Sequence, residues 1–338
     1  MSNTAEVDEF QDAVESSSTS TPNGIALAAS TGDDDDEQTF DVGQDELTLI
    51  RAQLASDYPE DYQTLSDTYI CSVASKPYSK DPTIRRPLEY TTEKLNILMG
   101  WRRDNAIMME EMVNLVSMPE TGKENTAAMV ENPDRFTKAK ALAVSMNYGS
   151  MYWHGLDKGG RPVLWIRCGR MPWYPDVEAQ VNSLILLADA GIKYMPKGIT
   201  DFVVISDSNS PPPPNPQFMI NVLSALVKGY PDRLNLLVSC PVGTIIQMIM
   251  KVLLPLMPGR LASKIVLVTE EETIENLGGI LENGIDDIPD FLGGKCSHEG
   301  IYPVGGTFPE RTLKFDYRGM VRRLDEATKK FSKGQSED

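Results

Sequence analysis

Two histidines, His154 and His298, and four cysteines, Cys71, Cys168, Cys240 and Cys296, are the side chains in this chain best suited to acid–base, nucleophilic or metal chemistry. Each histidine stands near a predicted loop, and neither has a carboxylate or nucleophile at a spacing that would pair it for proton transfer. The cysteines are isolated, with no CxxC, no HExxH and no paired metal-ligand spacing, so the spacing predicts no metal and reads the thiols as buried or free in a reducing compartment. A GxSxG elbow and a GxGxxG turn after a strand are both missing, and Gly122-Lys123 lacks the upstream glycine and the following Ser/Thr of a phosphate-cradling loop. Gly278-Gly279 and Gly293-Gly294 read as turns. Asp207 closes an apolar run, where α/β sheets place ligands, but Ser208-Asn209-Ser210 and the prolines 211–214 behind it read more simply as an Asx turn. The expectation is a protein that is not an enzyme and carries no cofactor.

The chemistry that stands out is apolar. From Gly243 to Met257 runs a helical segment containing Ile245, Ile246, Met248, Ile249, Met250, Val252, Leu253, Leu254 and Leu256, with almost no polar face. Two readings fit it: full burial, or a helix that lines an apolar cavity or meets a membrane, for which the thioethers of Met248, Met250 and Met257 make an adaptable wall. It does not read as a membrane span, being short, interrupted by Lys251 and broken at Pro255.

Positioning that helix requires a sheet. Four near-continuous apolar runs, Pro162 to Arg167, Asp201 to Ser206, Leu234 to Cys240 and Lys264 to Thr269, suit strands covered on both faces. Helical spacing lies between them at Val177 to Met195, Gln217 to Lys228 and Gly243 to Met257, and Thr273 to Asn283 adds a last helix. This βαβ alternation predicts an α/β fold with a mostly parallel sheet flanked by helices. Ahead of it, Asp45 to Leu54, Thr91 to Met118 and Pro133 to Met146 predict an all-helical N-terminal lobe over residues 46–146.

The net charge of −17 is unevenly placed. Residues 1–46 hold 13 acids and no Lys or Arg, which leaves the rest of the chain with 36 acids against 32 bases. Residues 1–45 are therefore expected to be a disordered acidic tail, either solubilising or recruiting protein partners. Nothing basic and aromatic elsewhere suggests nucleic acid as a partner. No signal-peptide pattern opens the chain, so a cytoplasmic protein is expected. The segment 311–338 carries a net +3 from Asp316 to Lys333 and reads as a basic helix, packed through Met320, Val321 and Leu324 or resting on anionic lipid.

A set of motifs then resembles a known family. Asp157-Lys158-Gly159-Gly160-Arg161-Pro162-Val163 resembles the "D-x-x-G-R-P-V" entry to the first strand of CRAL-TRIO (Sec-fourteen-like) lipid-binding domains, and Tyr230-Pro231-Asp232-Arg233-Leu234 resembles their "Y-P-E-R-L". Cys240-Pro241, Leu254-Pro255-Leu256, Ser263-Lys264-Ile265 and Ile288-Pro289-Asp290-Phe291-Leu292-Gly293-Gly294 are similar to further family segments, in the family's order. In the front lobe the usual Leu-Arg-Ala-Arg element is replaced by Ser72-Val73-Ala74-Ser75-Lys76.

The resemblance implies a CRAL-TRIO domain over residues 147–310. Its pocket would hold one phospholipid, phosphatidylinositol or phosphatidylcholine, or a similar hydrophobic ligand, and exchange it at a membrane surface. The helix from Gly243 falls on the gate position, with Ile245, Ile246, Met248, Ile249, Val252 and Leu253 as gate residues. Ligand-binding positions are implied at Asp232, Lys264, Trp165 and Ser239, with Arg260 as a headgroup or membrane contact. Where phosphoinositide binders carry a Thr, this chain has Leu261. The alternative is a scaffold or trafficking regulator that keeps the fold and binds protein partners.

Overall fold

A computed structural model describes residues 39–117, 133–254, 259–302 and 313–335. The acidic segment ahead of residue 39 lies outside the described residues.

Among the described residues the front lobe is built from three helices. In α1 (Gln44–Asp57) the spacing Leu47, Ile50, Leu54 puts one apolar stripe inward. The lobe starts before residue 46, since the Phe40 amide already donates to the Ser75 carbonyl at 2.8 Å. Helix α2 (Asp67–Ala74) is started by Ser66, whose hydroxyl accepts from the Tyr69 amide at 3.2 Å. It contributes Tyr69, Ile70 and Val73 to the same core as Leu95, Leu98 and Met99 of α3 (Leu88–Ser117). The lobe is helical except for an antiparallel hairpin between α2 and α3, β1 (Pro77–Tyr78) and β2 (Asp81–Arg85). Pro77 and Pro82 mask that hairpin in the sequence, because proline is expected only where a strand has no ladder to complete.

After α4 (Pro133–Asn147) the chain forms one five-stranded sheet in sequential order: β3 (Met151–Leu156), β4 (Pro162–Arg167), β5 (Phe202–Asp207), β6 (Leu234–Cys240) and β7 (Ile265–Leu267). The β3–β4 pair is antiparallel and the remaining pairs are parallel, so the α/β expectation holds with an added antiparallel edge. The β3–β4 turn is closed by Asp157, whose carboxylate accepts from the Arg161 amide at 2.7 Å, and by Gly160 at φ +79°.

Each parallel step carries a crossover. Helix α5 (Val177–Lys193) is capped by Asp176 on the Ala179 amide and buries Leu184 to Ala188. Helix α6 (Pro216–Gly229) begins at a proline, where no intrahelical N–H is needed, and is capped by Asn215 on the Phe218 amide. Between β6 and β7 come α7 (Thr244–Leu253) and the short α8 (Gly259–Ala262), and α9 (Thr273–Ile280) follows β7. A single turn, α10 (His298–Ile301), and the long α11 (Tyr317–Gly334) end the described chain. The basic helix packs: Met320 and Leu324 are buried and the Phe331 ring lies against Gly160. Among the described residues no helix is long and apolar enough to cross a membrane.

Candidate functional site

Burial across the sheet is lopsided. One cross-strand row runs Trp165, Ile205, Val238, Val266 from β4 to β7. The first three are fully buried and Val266 is only half-buried. In the next row of the same face Val163 and Val203 are buried, whereas Leu236 is half-buried. The opposite face repeats the trend, with Leu164 and Val204 buried and Leu237 and Ile265 half-buried. Strand β6 is not an edge, since β5 and β7 flank it, so accessible apolar side chains on it mean an incomplete cover above and below.

The crossovers at this end show the same property. Helix α6 buries only Ala225 and Gly229, leaving Phe218, Met219, Val222 and Leu226 half-buried and Ile220 exposed. In α7, Ile246 and Met250 are half-buried and Met248 is 56% exposed. The side chains of Ile245, Ile249, Val252 and Leu253, and residues 255–258, lie outside the described residues. Trp165 and Ser239, by contrast, belong to the closed part. The Trp165 indole N–H donates to the His154 carbonyl at 3.0 Å, and the Ser239 hydroxyl shares a 2.5 Å hydrogen bond with Ser208.

The segment Tyr230 to Arg233, between α6 and β6, grips the front lobe at four successive residues. The Tyr230 hydroxyl donates to Asp189 at 2.8 Å, Arg102 pairs with the same carboxylate at 2.8 Å, and the Trp101 ring packs edge-on to Tyr230. Gly229 allows this approach, because any Cβ there would enter the Trp101 ring. The Tyr69 hydroxyl donates to the Pro231 carbonyl at 2.6 Å, and the Arg233 guanidinium stacks 3.5 Å above the Tyr69 ring.

Asp232, at φ +57°, accepts two hydrogen bonds from Arg86, at 2.6 and 3.0 Å, with Lys94 at 3.7 Å and Arg260 at 3.8 Å. Burial opposes its charge, but Lys94, Arg86 and Arg260 outweigh burial and hold the carboxyl far below the ordinary carboxylate range. Asp232 is thus the centre of a buried cationic cluster contributed largely by the lobe. The Lys264 ammonium donates to the Leu234 carbonyl at 2.7 Å, at the mouth of β6. Arg260 faces Asp232, which places it in this cluster. Arg86 carries no motif of its own; only the position of Asp232 after α6 could have pointed to it.

The structure also gathers residues that sequence spacing left apart. His154, Cys296 and His298 converge on one side of β3 and β4, beside Tyr152, Trp165 and Tyr302.

Residues 146–294 match the family model of the CRAL/TRIO domain. No curated protein matches the chain. Among solved structures, one titled as the crystal structure of Sfh5 is similar to 83% of this chain and 98% of its own, at 13% identity and a TM-score of 0.48.

Proposed function

Residues 146–294 form a CRAL/TRIO domain, a lipid-binding fold, and from that premise we propose that this chain holds a single amphipathic lipid at the β6–β7 end of its sheet and exchanges it at membranes. The observation that carries the proposal is the half-cover of an inner strand. Leu236 and Val266 on one face of the sheet, Leu237 and Ile265 on the other, Phe218, Met219, Val222 and Leu226 of α6, and Ile246 and Met250 of α7 all keep apolar surface accessible, enough on either face to receive a lipid. Burying such a side chain fully is worth about 1.5–3 kcal/mol, so each forgoes on the order of 1 kcal/mol that a bound acyl chain would recover.

Helix α7 acts as the gate. It is the most apolar helix of the domain, and the exposed Met248 gives it a side chain to press into lipid. The ligand is a phospholipid, phosphatidylinositol or phosphatidylcholine, and the role is binding and transfer rather than catalysis, in a cytoplasmic protein that meets membranes transiently. Arg260 and Lys264 stand at the same end of the domain and supply positive charge near a headgroup.

The test is mass spectrometry of an organic extract of the purified full chain, coupled to transfer of labelled phospholipid between vesicles. One co-purifying lipid per chain and catalysed transfer are expected. A lipid-free protein that moves neither phosphatidylinositol nor phosphatidylcholine would overturn the reading.

A further inference from the structure

Away from the apolar end, ligand atoms of His154, Cys296 and His298 lie within 4.8 Å of one another. The His154 Nε2 and the Cys296 sulfur are already 3.3 Å apart, close to the separation of two ligands on one tetrahedral zinc ion, given bonds of about 2.0–2.1 Å to nitrogen and about 2.3 Å to sulfur. Beyond the imidazole Nε2 of His298 there is no hydrogen-bond partner, although the residue is fully buried. A buried polar atom left without a partner costs about 1–3 kcal/mol, and the neighbouring rings offer it nothing better.

The surroundings are those of a supported ligand set. The Tyr302 hydroxyl donates to the Trp153 carbonyl at 2.7 Å, so its oxygen is free to accept from His154 Nδ1 at 3.3 Å. That hydrogen bond places the His154 proton on Nδ1 and the lone pair on Nε2, facing Cys296. On His298, Nδ1 lies 2.9 Å from the Tyr152 hydroxyl, which can accept its proton in the same way. Asp287 and Asp290 place negative charge near Cys296, against the opposing guanidinium groups of Arg167 and Arg170 toward His298 and Arg323 toward His154. His154 also lines a polar cleft of about 220 Å³ with Glu282, Asp287, Arg323, Glu326 and Lys330, which opens the His154 side of the cluster to solvent.

We propose that His154, Cys296 and His298 form a binding site for a single zinc-class transition-metal ion, with its fourth position open to the polar cleft. Binding releases the Cys296 thiol proton to solvent, so affinity rises with pH. This site is independent of the lipid-binding proposal.

The test uses chelator-stripped full-length chain titrated with Co²⁺ as a spectroscopic probe and then with Zn²⁺ as competitor. One Co²⁺ per chain is expected, with a thiolate-to-cobalt charge-transfer band that Zn²⁺ abolishes. Cys296→Ser should remove the band while Cys71→Ser, in the front lobe, leaves it intact. Tyr152→Phe should weaken binding by about 10–100-fold through the loss of support for His298. Folded wild-type protein with no band, or a band that survives Cys296→Ser, would overturn the proposal. Should Cys296→Ser fail to fold, alkylation of Cys296 in the wild-type chain decides: Zn²⁺ slows it if the site exists, and an unchanged rate rejects the site.

Discussion

The two ends of the same sheet are both built from apolar strands and end up in different states. At the β3–β5 end, Trp153, Leu164, Trp165, Val203 and Ile205 are sealed by α5 and by the Cys296–Tyr302 segment. At the β6–β7 end, Leu236 and Val266 on one face and Leu237 and Ile265 on the other are not fully covered. A β-branched or leucine-rich strand therefore does not by itself say whether it serves the core or a ligand. What covers it decides.

The sharpest way to break this comparison is at the lobe contact beside the open end. Arg86→Ala leaves Asp232 buried without its bidentate partner and should cost about 3–5 kcal/mol in denaturant unfolding. A double variant with Asp232→Ala should recover much of that, and no recovery would mean the pair is not coupled. Ile205→Ala, in the sealed half, should cost about 2–5 kcal/mol with little change in lipid content. Leu236→Ala, in the half-covered region, should cost clearly less while lowering the amount of co-purified lipid. Equal losses of stability at the two positions would erase the distinction between the ends.

Acid should act on the sealed half first. His154 and His298 ionise at about 4 and about 2 in the fold against about 6.5 in an unfolded chain, so the unfolded state binds more protons as pH falls below 6.5. Stability should therefore drop from pH 6.5 towards 4, by about a few kcal/mol, and His154→Gln should flatten that profile in thermal melts. Asp232 works in the same direction at lower pH, because its depressed carboxyl contributes stability that is lost progressively as pH falls through the ordinary carboxylate range and below it. The smallest stability effect is expected at Met248→Asp, within about 0.5 kcal/mol for an exposed position, but vesicle-to-vesicle transfer should slow. Unchanged transfer would remove α7 from the gate role.

Strands β4, β5 and β6 were legible because both faces are covered, which makes their sequences continuously apolar. Strand β3 was not, because Tyr152-Trp153-His154-Gly155 mixes aromatic and polar residues and slips register before Leu156. The motif around Tyr230 was readable as a signature, but its work in joining two lobes was not. Its partners Tyr69, Arg86, Lys94 and Arg102 lie on α2, α3 and the loop between them, more than a hundred residues earlier. The convergence of His154 with Cys296 and His298 has no sequence signal for the same reason, since only the folded sheet brings 142 residues of separation down to 3.3 Å.

The grip of Tyr230 to Arg233 on the front lobe bears on where this domain ends. The family match starts at residue 146 and so leaves Tyr69, Arg86, Lys94 and Arg102 on the far side of the cut. A fragment trimmed to that boundary keeps the buried carboxylate and discards the lobe cations that neutralise it. The smallest piece of this chain that keeps Asp232 neutralised is longer than the matched segment.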